Sequence, residues 1–284
     1  MFQYAAGRAL SLRNGVPLKV DLSTFETSRR RRYELEAFRV CAAPATGADL
    51  GQFGFGAKVG ASAPNHLSRM LQRLRIRERR GEWPIYREPH FHFDPRGTAL
   101  QAPHYLEGYW QSEKYFLDHA DTVRREFVPR APLDPENAAL AAQIDAVNAI
   151  SLHVRRGDYV SDPTTRRYHG TCALDYYRSA VDYVGHRVEA PHLFLFSDDP
   201  EWTRQNLEFP FPTTVVTANL PDRGYRDMQL MARCNHHIVA NSSFSWWGAW
   251  LSPGGQKIVV APSRWFNSAS NDTRDLIPES WVRI

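Results

Sequence analysis

Two segments of this 284-residue chain carry residues whose types and order could do chemistry. The first is Ile150-Ser151-Leu152-His153-Val154-Arg155-Arg156-Gly157-Asp158-Tyr159, an apolar run that gives way to two adjacent arginines, a glycine and an aspartate. At the carboxyl end of a buried strand, two fixed positive charges would face the crevice where open α/β sheets bind ligands. An arginine fork grips phosphate oxygens in pairs, which the point charge of a lysine does not do. The second segment is Ile238-Val239-Ala240-Asn241-Ser242-Ser243-Phe244-Ser245-Trp246-Trp247, a strand passing through small polar residues into an aromatic helix. Ser242 and Ser243 stand where that helix begins, so their amides and hydroxyls could hold a diphosphate against the positive helix end. Helix capping alone would also explain a serine here. Together the segments read as two walls of one phosphate-bearing site.

Further candidates surround this pair. His153 precedes the arginines by one alternation and either orients them or the ligand, or packs in the core. Asp158 is placed to act as a base or to orient Arg155 or Arg156. Asp198 and Asp199 follow the apolar run His192–Phe196, where they could accept hydrogen bonds from ribose hydroxyls or a base; a helix-starting aspartate is the plainer reading. Trp246, Trp247 and Trp250 read as core behind the serines.

The elements that must position these residues alternate cleanly in the second half. Strands are expected near Ala149–Val154, His192–Phe196, Val215–Val216, His237–Ala240 and Lys257–Ala261, with helices near Ala173–Val184, Tyr225–Arg233 and Phe244–Leu251. Such alternation means α/β, with a parallel sheet and right-handed crossovers. The first half reads as a helix over Phe2–Asn14, a strand over Val16–Asp21, a loop-rich stretch over residues 40–100 and a helical stretch near Ser112–Phe127. Pro129, Pro132 and Pro135 punctuate the chain, so the domains are placed at 1–130 and 131–284.

Composition bounds the function. Hydrophobic residues at 43% and charged residues at 23% are those of a globular protein, and no run spans a membrane. Met1-Phe2-Gln3-Tyr4 opens no secretory signal. Cys41, Cys172 and Cys234 are scattered, which fits a reducing cytoplasm better than disulfides or zinc. The net charge of +4 admits an acidic partner. The basic runs Arg29–Arg32 and Arg69–Arg80 read most simply as solvated faces; the second, as an amphipathic helix, would also suit an acceptor or the inner membrane surface. No nucleic-acid motif is present and the arginines are dispersed, so a nucleic-acid partner is not expected.

The chain resembles the α-1,2-fucosyltransferases of glycosyltransferase family 11 over essentially its whole length. The resemblance rests on His153-Val154-Arg155-Arg156-Gly157-Asp158-Tyr159, Asn241-Ser242-Ser243-Phe244-Ser245-Trp246-Trp247-Gly248, Gly108-Tyr109-Trp110-Gln111, Asp227-Met228-Gln229-Leu230, and Trp265-Phe266 through Ile277-Pro278-Glu279-Ser280-Trp281. It implies the GT-B-like architecture of two Rossmann-like domains facing a cleft, the first on the acceptor side and the second binding GDP-fucose. It also implies inversion at the anomeric carbon, no metal or other cofactor, and transfer to the 2-hydroxyl of a galactose on a glycan. Arg155 and Arg156 would then meet the charge growing on the departing GDP. His153, Asp198, Asn241, Ser242, Ser243 and Phe244 would line the donor pocket. Asp227, sixteen residues before Ser243, would accept from guanine N1 and N2. A base is expected near the acceptor hydroxyl, with Asp158, Glu107 and His169 as candidates. Family members carry a strand and a Gly-Gly-Leu-Gly-Asn-Gln loop directly before Met-Phe-Gln-Tyr-Ala, and Met1 coincides with that methionine. Either the start is assigned too late, which is the expectation, or the chain is truly truncated; the alternative function is a catalytically impaired nucleotide-sugar or glycan binder.

Overall fold

The computed structural model describes residues 1–27, 32–55, 82–268 and 271–284. The tetra-arginine run apart from Arg32, and the helix expected over Arg69–Arg80, lie outside the described residues. The chain divides into two compact units, Met1–Glu126 and Phe127–Ile284.

The first unit opens on α1 (Phe2–Asn14), which buries Phe2, Tyr4, Ala5, Ala6, Ala9 and Leu10 and stops at Gly15, whose φ of 65° suits a residue without a side chain. Short parallel pairs follow: β1 (Lys19–Val20) with β2 (Ala43–Pro44), and β3 (Ile85–Arg87) with β4 (Tyr105–Glu107). The helices α2 (Ser23–Thr27) and α3 (Gly47–Gln52) lie between β1 and β3, and α4 (Ala120–Glu126) ends the unit. The helical stretch expected at Ser112–Phe127 is broken, because Phe116 at φ −140° separates two single turns before α4 begins. Buried Glu126 ties α4 to α1, accepting from the Tyr4 hydroxyl at 2.5 Å and pairing with Arg8 at 2.8 Å.

The second unit is an α/β layer structure around a six-stranded sheet of order β10-β9-β8-β5-β6-β7, parallel throughout. Its strands are β5 (Asn148–Val154), β6 (Pro191–Ser197), β7 (Thr213–Val215), β8 (His236–Ile238), β9 (Val259–Ala261) and β10 (Val282–Arg283). In β5 every residue after Asn148 is buried, as expected of a strand covered on both faces. On one face Ile150, Leu152 and Val154 pack against Tyr177, Ala180, Val181 and Val184 of a long helix between β5 and β6. On the other, Ala149, Phe194 and Phe196 meet Ala141, Ile144, Leu230 and Met231.

The helices are α5 (Pro135–Asp145), α6 (Gly157–Ser161), α7 (Pro163–Tyr168), α8 (Leu174–Gly185), α9 (Pro200–Asn206), α10 (Gly224–Met231) and α11 (Ser243–Leu251). Three of them, α5, α6 and α7, fall where sequence pattern gave a boundary or a loop. No helix among the described residues is long and apolar enough to cross a membrane.

Strand order fixes where a ligand can enter. From β5 the chain crosses to β6 on one side, whereas from β8 it crosses to β9 on the other. The loops after β5 and β8 therefore diverge, and at such a reversal the carboxyl ends of neighbouring strands open a crevice. Arg155-Arg156-Gly157 form one lip and Val239-Ala240-Asn241-Ser242 the other.

Candidate functional site

The register of β5 against β6 pairs Val154 with Ser197, so the arginines leave one strand beside the aspartates that leave the next. Arg155 donates from Nη2 to Asp158 Oδ1 at 2.7 Å and pairs through Nη1 with Asp198 Oδ2 at 2.9 Å. Two of the five N–H bonds of its guanidinium are thus engaged. The Arg156 amide donates to Asp198 Oδ1 at 2.8 Å, and its Nε donates to Asp199 Oδ2 at 3.3 Å. Asp198 also explains Gly157: a Cβ there would lie 2.6 Å from Asp198 Oδ2. Both arginines thus bridge to carboxylates at the strand end. Asp198 and Asp199, expected to serve ribose or base, also bind the arginines and, for Asp199, the start of α9, with one such contact on each oxygen. Asp158 likewise orients Arg155.

Across the crevice, Ser242 caps α11, its Oγ accepting from the Phe244 amide at 3.3 Å, while Ser243 in the first turn is exposed. Trp246, Trp247 and Trp250 are buried behind them, as expected of core. Asn241 is turned inward. Its Nδ2 donates to the carbonyls of His169, Gly170 and Trp265 at 3.1, 3.1 and 3.2 Å, and its Oδ1 accepts from Cys172 at 3.5 Å. Its side chain holds the α7–α8 loop and the Trp265 segment in place, rather than reaching for a ligand.

His153 is buried with its ring centroid 5.3 Å from that of Phe244, and its Nδ1 has no hydrogen-bond partner. Burial, helped by Arg155, pushes its pKa down to about 3, so the ring is neutral at physiological pH. Asp227 lies in the first turn of α10 and accepts from Asn219 Nδ2 at 2.7 Å. Asn219 and Asn137 exchange amide hydrogen bonds at 2.9 and 2.8 Å, and Asn137 is held by Asp134 at the start of α5. Burial outweighs the Asn219 hydrogen bond and raises the Asp227 pKa from 3.8 to about 6. Nothing in the sequence singled out Asn137 or Asn219.

The remaining base candidates are placed as follows. His169 stacks on Tyr159 at 4.6 Å within the second unit. Glu107 belongs to the first unit, is exposed and pairs with Arg87 at 2.9 Å. Among the described residues no group of three or more His, Cys, Asp or Glu is placed to hold a metal ion.

One end of the sheet thus gathers an arginine pair, a capped helix start and a neutral histidine, which suits a diphosphate ester. Residues 82–284 match the profile of glycosyl transferase family 11. The chain belongs to glycosyltransferase family 11. An alpha-1,2-colitosyltransferase of Escherichia coli is 32% identical over all of this chain and 94% of its own length. The O-antigen biosynthesis glycosyltransferase WbnK of the same organism is 38% identical over 48% of this chain and 45% of its own length. The human galactoside alpha-(1,2)-fucosyltransferase 1 is 27% identical over 63% of this chain and 52% of its own length. Among solved structures, NodZ alpha-1,6-fucosyltransferase soaked with GDP-fucose aligns over 89% of this chain and 88% of its own, at 16% identity and a TM-score of 0.46. As a family 11 member the chain is a glycosyltransferase, so its site must release a leaving group as a sugar departs.

Proposed function

We propose that this family 11 chain moves L-fucose, with inversion, from GDP-fucose to the 2-hydroxyl of a galactose on a glycan. The observation that carries the reading is the arginine pair of the β5 loop facing the start of α11 at the strand-order reversal. Breaking the anomeric carbon–oxygen bond leaves positive charge on the sugar ring and a growing negative charge on GDP. Arg155 and Arg156 meet that charge with fixed cations, and the amide end of α11 with a fixed dipole. No metal or other cofactor is assigned a part. The surrounding carboxylates keep both guanidiniums in place before the donor arrives, so little reorganisation accompanies bond breaking. Asp227 takes the guanine, whose adjacent N1 and N2 hydrogens match one carboxylate. Free Cys41, Cys172 and Cys234 fit a reducing compartment.

A second donor is favoured by one observation, the end-to-end similarity to a colitosyltransferase. Colitose is fucose without its 3-hydroxyl, so the two donors share every feature read by the diphosphate and guanine contacts. The test is GDP release from GDP-fucose and from GDP-colitose with a panel of β-galactosides. Release that requires both a donor and a galactoside supports the proposal, and the faster donor names the sugar. Binding of GDP with no turnover on any pair would favour the glycan- or nucleotide-sugar-binding alternative.

A further inference from the structure

The end of β6 does more than neutralise the arginines. Asp199 caps α9, its Oδ1 accepting from the Trp202 amide at 3.2 Å, while its own amide donates to Ser197 Oγ at 3.0 Å. That cap fixes the backbone from which the Trp202 side chain projects. Trp202 packs partly against the core cluster around Ile150, Leu195 and Leu207. The Arg156 guanidinium carbon lies 3.6 Å from the centre of its ring. The second carboxylate oxygen of Asp199 takes Arg156 Nε at 3.3 Å. The guanidinium thus lies over the indole ring while its Nε is held by the carboxylate. Neither Nη group donates a hydrogen bond among the described residues, whereas both Nη groups of Arg155 are engaged by carboxylates.

We infer that Asp199 and Trp202 are positioning residues that hold the Arg156 guanidinium flat, with its two-pronged edge presented to the diphosphate of the donor. The inference rests on the donor reading above. An arginine in solution samples many rotamers, and ordering it on binding costs affinity that pre-ordering saves. The carboxylate contributes twice, once as the cap of α9 and once as the brace for Nε. An aspartate is therefore better suited to position 199 than another capping residue.

The test compares equilibrium affinities for GDP and for guanosine in wild-type protein, Trp202→Leu, Trp202→Tyr and Asp199→Asn. Trp202→Leu should lose about 3- to 30-fold in GDP affinity, the range expected for a partly desolvated cation–π contact. Its guanosine affinity should stay the same, because guanosine has no phosphate for Arg156 to hold. Trp202→Tyr restores a ring face and should recover most of the loss. Asp199→Asn keeps a cap but removes the charge beside Nε, so it should weaken GDP alone and by less. Unchanged GDP affinity in Trp202→Leu would overturn the inference. So would an equal loss for GDP and guanosine, or a tyrosine variant as weak as the leucine one. Wild-type protein that binds no GDP would instead overturn the donor reading on which the inference stands.

Discussion

Replacing Asp227 by asparagine should stabilise the fold and impair the site. Burial raises this carboxyl from 3.8 to about 6, the reverse of what a salt-bridged carboxylate shows. Between those values the folded chain holds the proton more tightly than the unfolded chain does. The cost of burying the charge is therefore absent below about pH 4, grows as pH rises through the window, and is complete above about pH 6. Two pK units correspond to at most about 3 kcal/mol, and the solvent that reaches this half-buried group reduces that to about 1–2 kcal/mol. Asparagine keeps an acceptor for Asn219 and carries no charge. The variant should then melt roughly 2–8 °C higher at pH 7.5, with the difference from wild type vanishing near pH 4. Scanning calorimetry from pH 4 to 8 measures it. The same change should weaken GDP binding by about 10- to 100-fold, because one acceptor and an opposed N–H₂ replace a charged acceptor pair. Wild-type GDP affinity should itself fall below pH 6 as Asp227 takes up its proton. A variant that melts lower at pH 7.5, or by a pH-independent difference, would show that burial of the Asp227 charge does not destabilise the fold.

Two more outcomes follow from the same geometry. Asn241→Ala removes the donor shared by three backbone carbonyls and should cost about 2–4 kcal/mol in urea unfolding; an effect under about 0.5 kcal/mol would mean the amide does not hold those loops. Gly157→Ala sets a methyl group 2.6 Å from Asp198 Oδ2 and should displace the carboxylate that anchors both arginines. Its kcat/KM for donor should drop about 10- to 100-fold while its melting temperature moves little, and a wild-type rate would show that Asp198 need not sit there.

Much of the second unit was legible because its strands are buried on both faces and its helices are amphipathic. The run Ile150–Val154 and the stripe Leu174, Tyr177, Val181 and Val184 leave little choice, and α1 spans Phe2–Asn14 as the apolar pattern and Gly15 indicated. α5 was hidden because Pro135 reads as a breaker, whereas it is the first helical residue behind the Asp134 cap. α6 and α7 are too short for a periodicity to show. At the site, motif order placed the arginines and serines at strand and helix ends, which residue type and spacing can do. What Asp198 and Asp199 touch could not be read, because it depends on strand register, and Asn137, one of the two partners of Asn219, lies 82 residues away in the chain. Asn241 sat in the right motif, yet its side chain faces the protein.

The arginine pair, as the diphosphate site of a sugar-transfer enzyme, is the centre of the proposed chemistry. Galactoside-dependent GDP release from GDP-fucose, measured for wild type, Arg155→Ala and Arg156→Ala, tests that most directly. Wild type should release GDP and each variant should lose about 100-fold or more, with guanosine affinity retained. Release at the wild-type rate in both variants would contradict that role for the pair.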